Sequence, residues 1–135
     1  MRLHVSRRKA KSGKLSVFKG REARLNKAIF HILALKSPLT IYAIRREVTK
    51  RRLLHRKLYS VVNRRVRILQ QLGYVEKVGT RKTLAGSTAT LYQITPRAYL
   101  AILLNQINLE NLVLEVDETA ILELVAILSS AQDIY

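Results

Sequence analysis

Cysteine is absent from the 135 residues, which excludes disulfide staples, cysteine nucleophiles and thiolate zinc sites. Tryptophan is also absent and aromatic residues make up only 6%. With 48% hydrophobic residues, a core has to be built mainly from Leu, Ile, Val and Ala. Long apolar runs are missing. The longest, Ala98–Leu104, has seven residues, against the ~20 that a spanning helix requires. The basic N-terminus is not followed by the apolar stretch of a secretory signal. A cytoplasmic, nucleoid-associated protein without a membrane partner is expected. His4, His31 and His55 have no metal-ligand spacing, and the scattered glycines do not form a phosphate loop. Acids are few, and most stand in the apolar C-terminal segment, where they read as caps and solvated positions. No enzyme, metal, cofactor or small-molecule ligand is expected.

Base is absent from the end of the chain. All 25 Lys and Arg lie in residues 1–97, with Glu22, Glu47 and Glu76 against them, which gives 25 − 3 = +22. Residues 98–135 hold six acids and no base, or −6. A basic body with an acidic, apolar tail points to a polyanionic partner for the body, and nucleic acid fits better than a membrane surface.

Residues 1–19 carry seven bases, no acid and no apolar periodicity, and read as a flexible basic arm. A first helix is expected over Arg21–Leu35, with Leu25, Ala28, Ile29, Ile32 and Leu33 on one side. Phe30 lies on another side and suggests a second packing surface, either the C-terminal segment or a partner chain. Pro38 breaks the pattern. Thr40 is placed to cap a second helix from Ile41 to about Thr49, with Leu39 and Ile44 as a hydrophobic staple. The end of that helix blurs into the basic "KRRLLHRK".

The stretch "LYSVVNRRVRILQQLGYVEKVG" begins as a third helix. Leu58, Val62, Val66, Leu69 and Leu72 form its apolar stripe. Tyr59, Ser60, Asn63, Arg64, Arg67, Gln70 and Gln71 form the opposite side. Gly73 is placed to end it in a left-handed conformation. "YVEKV" and "TLYQIT" then alternate like strands, joined by the long, Gly/Thr/Ser-rich "GTRKTLAGSTA". Thr95–Pro96 opens a fourth helix. Residues 109–116 are ambiguous between helix and strand. A final helix over Glu118–Ser130 is apolar around most of its circumference, and so has to be covered on more than one side, which favours a second subunit.

Three helices followed by a hairpin, with "YSVVNRRVRILQQLGYVEKVG" and "ATLYQITP", resemble the winged helix–turn–helix regulators of archaea and bacteria, in their MarR-like and PadR-like branches. The carrying residues are Ser60, Val66, Leu69, Gly73, Tyr74 and Val75, then Tyr92, Ile94 and Thr95. The resemblance implies a mainly α fold with a small antiparallel β-hairpin (α+β). The resemblance covers about residues 21–97; with the arm already read over 1–19, it implies a DNA-binding domain over 20–97 and C-terminal dimerisation helices over 98–135. It also implies homodimeric transcriptional regulation on double-stranded DNA, with the third helix in the major groove and the wing on the backbone or minor groove. The segment between the second and third helices is longer and more basic than the family pattern.

The residues agree with that chemistry. Asn pairs bidentately with adenine and Arg with guanine, so Tyr59, Ser60, Asn63, Arg64 and Arg67 are the candidate base readers. Lys50, Arg51, Arg52, Arg56, Lys57 and Arg65 are candidate phosphate clamps, with Arg81 and Lys82 on the wing. Residues 50–67 hold eight bases and no acid. The candidate dimer interface is Phe30, Leu100, Leu104, Ile121, Leu124, Val125 and Leu128. The rival readings are a low-specificity architectural DNA binder and an RNA-binding or replication-associated module.

Overall fold

The structure is a computed structural model that describes residues 15–133; most of the expected basic arm, residues 1–14, lies outside them. The chain divides after Asn105 into two compact units. The first begins with a 3-10 turn, Ser16–Phe18. Three helices follow: α1 (Ala23–Lys36), α2 (Ile41–Val48) and α3 (Tyr59–Gln71). A hairpin of β1 (Val75–Lys82) and β2 (Thr88–Ile94) comes next, then α4 (Pro96–Gln106). The second unit holds α5 (Leu109–Glu115) and α6 (Glu118–Asp133). The fold is mainly helical with one antiparallel hairpin, a winged helix.

Each boundary has a local cause. Thr40 Oγ1 accepts from Ala43 N at 3.1 Å and starts α2. Leu39 exchanges two backbone hydrogen bonds with Tyr92, at 3.0 and 2.8 Å, so the residues before α2 are stitched to the wing. Gly73, at φ +88°, closes α3: Gly73 N donates to the Gln70 carbonyl at 3.0 Å and Tyr74 N to the Leu69 carbonyl at 2.9 Å, the two bonds of a Schellman cap. The Thr95 hydroxyl then donates to the Gly73 carbonyl at 2.6 Å and so ties the end of the wing to the end of α3. A Cβ at Gly73 would meet only the mobile end of Arg97, at 2.7 Å, so backbone conformation decides the effect of substitution. Gly73→Ala is expected to cost about 1–2 kcal/mol, read as a lower urea midpoint at unchanged m-value. Gly73→Asn should recover part of the loss, because Asn tolerates this conformation better.

The core joins α1, the inner sides of α2 and α3, and the base of the wing. Leu25, Ile29, Leu33, Ile44, Val48, Val62, Val66, Leu69 and Val75 are all buried. Leu58 and Leu72, expected in the stripe of the third helix, are exposed; they fall outside the helical residues, where the turn geometry carries them away from the core. Ala98 and Ala101 are buried in this core as well, so the unit runs past the expected boundary at residue 97.

Two further differences lie at the N-terminus. The end of the expected arm is structural: Val17 and Phe18 are buried, and Asn26 Nδ2 donates to the Val17 carbonyl at 2.9 Å. Phe30, expected at a dimer interface, is 0% exposed within the chain. Its ring meets Phe18 edge-on at 5.6 Å and Tyr74 at 5.4 Å. The second apolar side of the first helix is therefore covered by the N-terminal turn and the start of the wing.

The wing is longer in strand and shorter in loop than its composition suggests. Val75↔Ile94 to Lys82↔Thr88 are paired, with an irregularity between Lys77 and Gly79 that leaves Val78 unpaired. That bulge breaks the alternation of the sequence. The tip is Thr83–Ser87, closed by Gly86 N donating to the Thr83 carbonyl at 3.0 Å, with Gly86 at φ +86°.

Residues 109–116, ambiguous in the sequence, are helical over Leu109–Glu115; Asn108 caps them by accepting from Asn111 N at 3.1 Å. In α6, Leu124, Val125 and Leu128 are exposed and Ile121 is half-buried. Leu100 and Leu104 of α4 are exposed too.

Candidate nucleic-acid interface

α3 rotates by about 100° per residue. With Val62, Val66 and Leu69 buried, Ser60, Arg64, Arg67 and Gln71 stand on the outward side. Tyr59, Asn63 and Gln70 are displaced toward α2 and the wing. Arg64 and Ser60 are exposed. Tyr59, Asn63 and Arg67 line a groove of about 240 Å³ whose other walls are Thr40 and Tyr42 of the α2 start and Thr88 and Thr90 of β2. Arg67 Nε donates to Asn63 Oδ1 at 3.1 Å. That bond engages Nε of Arg67 and one of the two lone pairs of the Asn63 amide oxygen. The bond holds the two side chains together on the groove wall.

A second groove of about 480 Å³ continues between α2 and the wing. Tyr42, Arg46, Arg81, Lys82 and Leu84 are among its walls. Arg46 lies over the Tyr42 ring, 5.6 Å from its centroid, which orients the guanidinium beside an exposed aromatic. Tyr42 and Arg46 are missing from the sequence-based candidates. Their signal was an i,i+4 aromatic–Arg pair on the polar side of the second helix. Leu84 at the wing tip is fully exposed.

The expected phosphate clamps separate into groups. Arg81 and Lys82 stand on β1, beside α2 and not on the loop. Arg65 does not stand with the expected clamps. Its guanidinium is 3.4 Å from the Glu22 carboxylate and its side chain is only 15% exposed, because its position on α3 turns it toward the start of α1. It ties α3 to the N-cap of α1 instead of standing with the other basic side chains. Lys50 pairs with Glu47 at 2.9 Å, and Lys36 pairs with the same carboxylate at 3.0 Å. These hydrogen bonds, from Lys50 first and then Lys36, hold Glu47 below the usual carboxylate range. The Lys57 carbonyl accepts from Arg45 Nε at 3.1 Å, which fixes the backbone just before α3. Arg56 is exposed. Arg51 and Arg52 face α1, in a cleft apart from both grooves. His55 Nδ1 lies 2.8 Å from the Arg52 carbonyl.

Electrostatics favour an anion at the two grooves. None of their lining residues is acidic. The first unit's three carboxylates, Glu22, Glu47 and Glu76, are engaged elsewhere, by Arg65, by Lys36 and Lys50, and by Gln93. Among the described residues no cluster of His, Cys, Asp or Glu could hold a metal ion, and no helix is long and apolar enough to cross a membrane.

No protein-family model matches the sequence, and no curated protein matches it. Among solved structures the fold is similar to that of the diamide-treated YodB from B. subtilis. That likeness has a TM-score of 0.52 at 16% identity, covering 76% of this chain and 88% of that one. At this identity the likeness is one of fold, and it supports the winged helix read from α1–α3 and the hairpin.

Proposed function

We propose that the chain binds double-stranded DNA as a homodimeric transcriptional regulator. α3 enters the major groove, and the wing follows the backbone or minor groove. The observation that carries this reading is the acid-free surface formed by the outward side of α3, Tyr42 and Arg46 of α2, and Arg81 and Lys82 of β1. A major groove admits one helix, and the wing beside it supplies cations at the height of the backbone. Arg64 and Arg67 are the readers. Ser60 and Tyr59 flank them. Arg46, Arg81, Lys82 and Arg56 neutralise phosphates. Two copies joined through α4 and α6 present two such helices, and successive major grooves ~34 Å apart would receive them on a pseudo-palindromic site.

The test is selection of a preferred duplex from a random library, followed by competition against random duplex. Arg64→Ala is expected to reduce the discrimination by about 1–3 kcal/mol. Arg81→Ala is expected to weaken both duplexes alike and to lower the salt slope by about one. Equal affinity of the unmodified protein for both duplexes would support an architectural binder instead. Tighter binding to A-form or single-stranded RNA would support the RNA-binding alternative.

A further inference from the structure

Arg24, Lys27 and His31 occupy one side of α1, at spacings of three and four. The turn after α2 brings Arg51 and Arg52 against them, over a floor of Ala28 and Leu54. The cleft is open to solvent and holds about 270 Å³, well above the ~10–15 Å³ that a single water needs on the same measure. That is room for a phosphate or pyrophosphate with its hydrogen-bond donors. No lining residue is acidic. Unlike Lys36, Lys50 and Arg65, the four cations have no carboxylate partner among the described residues. Their field is felt inside the cleft. Burial, then the charge of Arg51, then that of Lys27, hold His31 below its ordinary pKa.

We propose that the cleft between α1 and the turn at residues 49–54 is a second phosphate-binding site, separate from the grooves of α3 and the wing. Arg24, Lys27, Arg51 and Arg52 donate to the anion; guanidinium groups from the turn offer two donors each in a fixed fork. An anion seated there cancels the charge that opposes protonation of His31, so His31 takes up a proton as the site fills. Every titratable or charged group facing His31 in the cleft is a cation, on α1 or on the turn, so the direction of that coupling is set. The phosphate comes either from a duplex backbone beyond the reach of α3 or from a free phosphorylated small molecule.

The full chain is titrated with inorganic pyrophosphate while the His31 ring is followed by NMR at several pH values. A saturable shift of His31 with a raised pKa is expected. Lys27→Ala with Arg51→Ala should weaken pyrophosphate at least tenfold, since each charged hydrogen bond lost is worth about that factor. Arg24→Ala with Arg52→Ala, both exposed positions, is an independent pair that should act in the same direction. Arg64→Ala should leave the pyrophosphate response intact while altering duplex preference, which keeps this site's failure distinct from that of the α3 reading. A His31 titration unmoved by pyrophosphate, or a shift that survives both double variants, would overturn the proposal. With the site present, exclusion of pyrophosphate by bound duplex identifies the backbone as its source. Simultaneous binding of both identifies a free phosphorylated ligand.

Discussion

Phe30→Ala is expected to cost about 3–5 kcal/mol, the range for removing a buried phenylalanine, and to leave the oligomeric state unchanged. The ring is 0% exposed and packs on Phe18 edge-on and on Tyr74 at a tilt. Such aromatic pairs are worth about 0.5–1.5 kcal/mol beyond their buried area. Against a typical total stability of about 5–15 kcal/mol, the loss would bring the chain close to its unfolding threshold. Urea denaturation and light scattering on the same samples separate the two parts of the expectation. A well-folded variant that dissociates would place Phe30 at an interface after all. A Phe18→Ala variant should be destabilised in the same sense, because it removes the other half of the contact. Truncating the chain beyond Phe18 would then reduce stability as well as removing charge.

Phe30 also shows where sequence periodicity stops being informative. The stripe of Leu25, Ala28, Ile29, Ile32 and Leu33 was legible, because five residues at helical spacing repeat one signal, and all five are buried. What covers Phe30 was not. Its partner Phe18 sits in a three-residue 3-10 turn, too short to produce any period, inside a stretch whose composition reads as a tail. The close of α3 was legible from Gly73 alone, since only one residue type is at ease at φ +88°.

The arginines were legible as a group but not one by one. Arg64 and Arg65 are neighbours in sequence, yet 100° of helix rotation sends one outward and the other to Glu22. The partner of Arg65 stands just before α1, and no local pattern encodes it. Arg51 and Arg52 share the basic run that leads into α3 but turn toward α1, because Leu54 is buried and its burial fixes the direction of the turn. Tyr42 and Arg46 were missed for the converse reason. The wing that makes the outer side of α2 a groove wall comes from residues about 40 positions later. The wing strands were underestimated because Gly79 and the unpaired Val78 interrupt an otherwise continuous pairing.

For the homodimer proposed above, Leu124→Glu with Leu128→Glu is expected to yield monomers and to lower affinity for a two-half-site duplex by about 100- to 10,000-fold. That is the range by which linking two binding events raises avidity. Along α6, Ile121, Leu124, Val125 and Leu128 fall within one stripe of about 100°, and three of the four are exposed in the single chain. A carboxylate buried between two α6 helices would have no basic partner on either, because residues 98–135 contain no base, and an unpaired buried charge is strongly unfavourable. Leu122 and Ile127 are exposed on the same helix but outside the stripe, so Leu122→Glu with Ile127→Glu should leave association intact. The two double variants carry the same charge change on the same helix. If both dissociate the protein equally, α6 associates through general apolar contact and not through a defined stripe. If neither does, the subunit contact lies off α6. Sedimentation gives the assembly state, and duplex titration shows whether the loss of affinity follows the loss of the dimer.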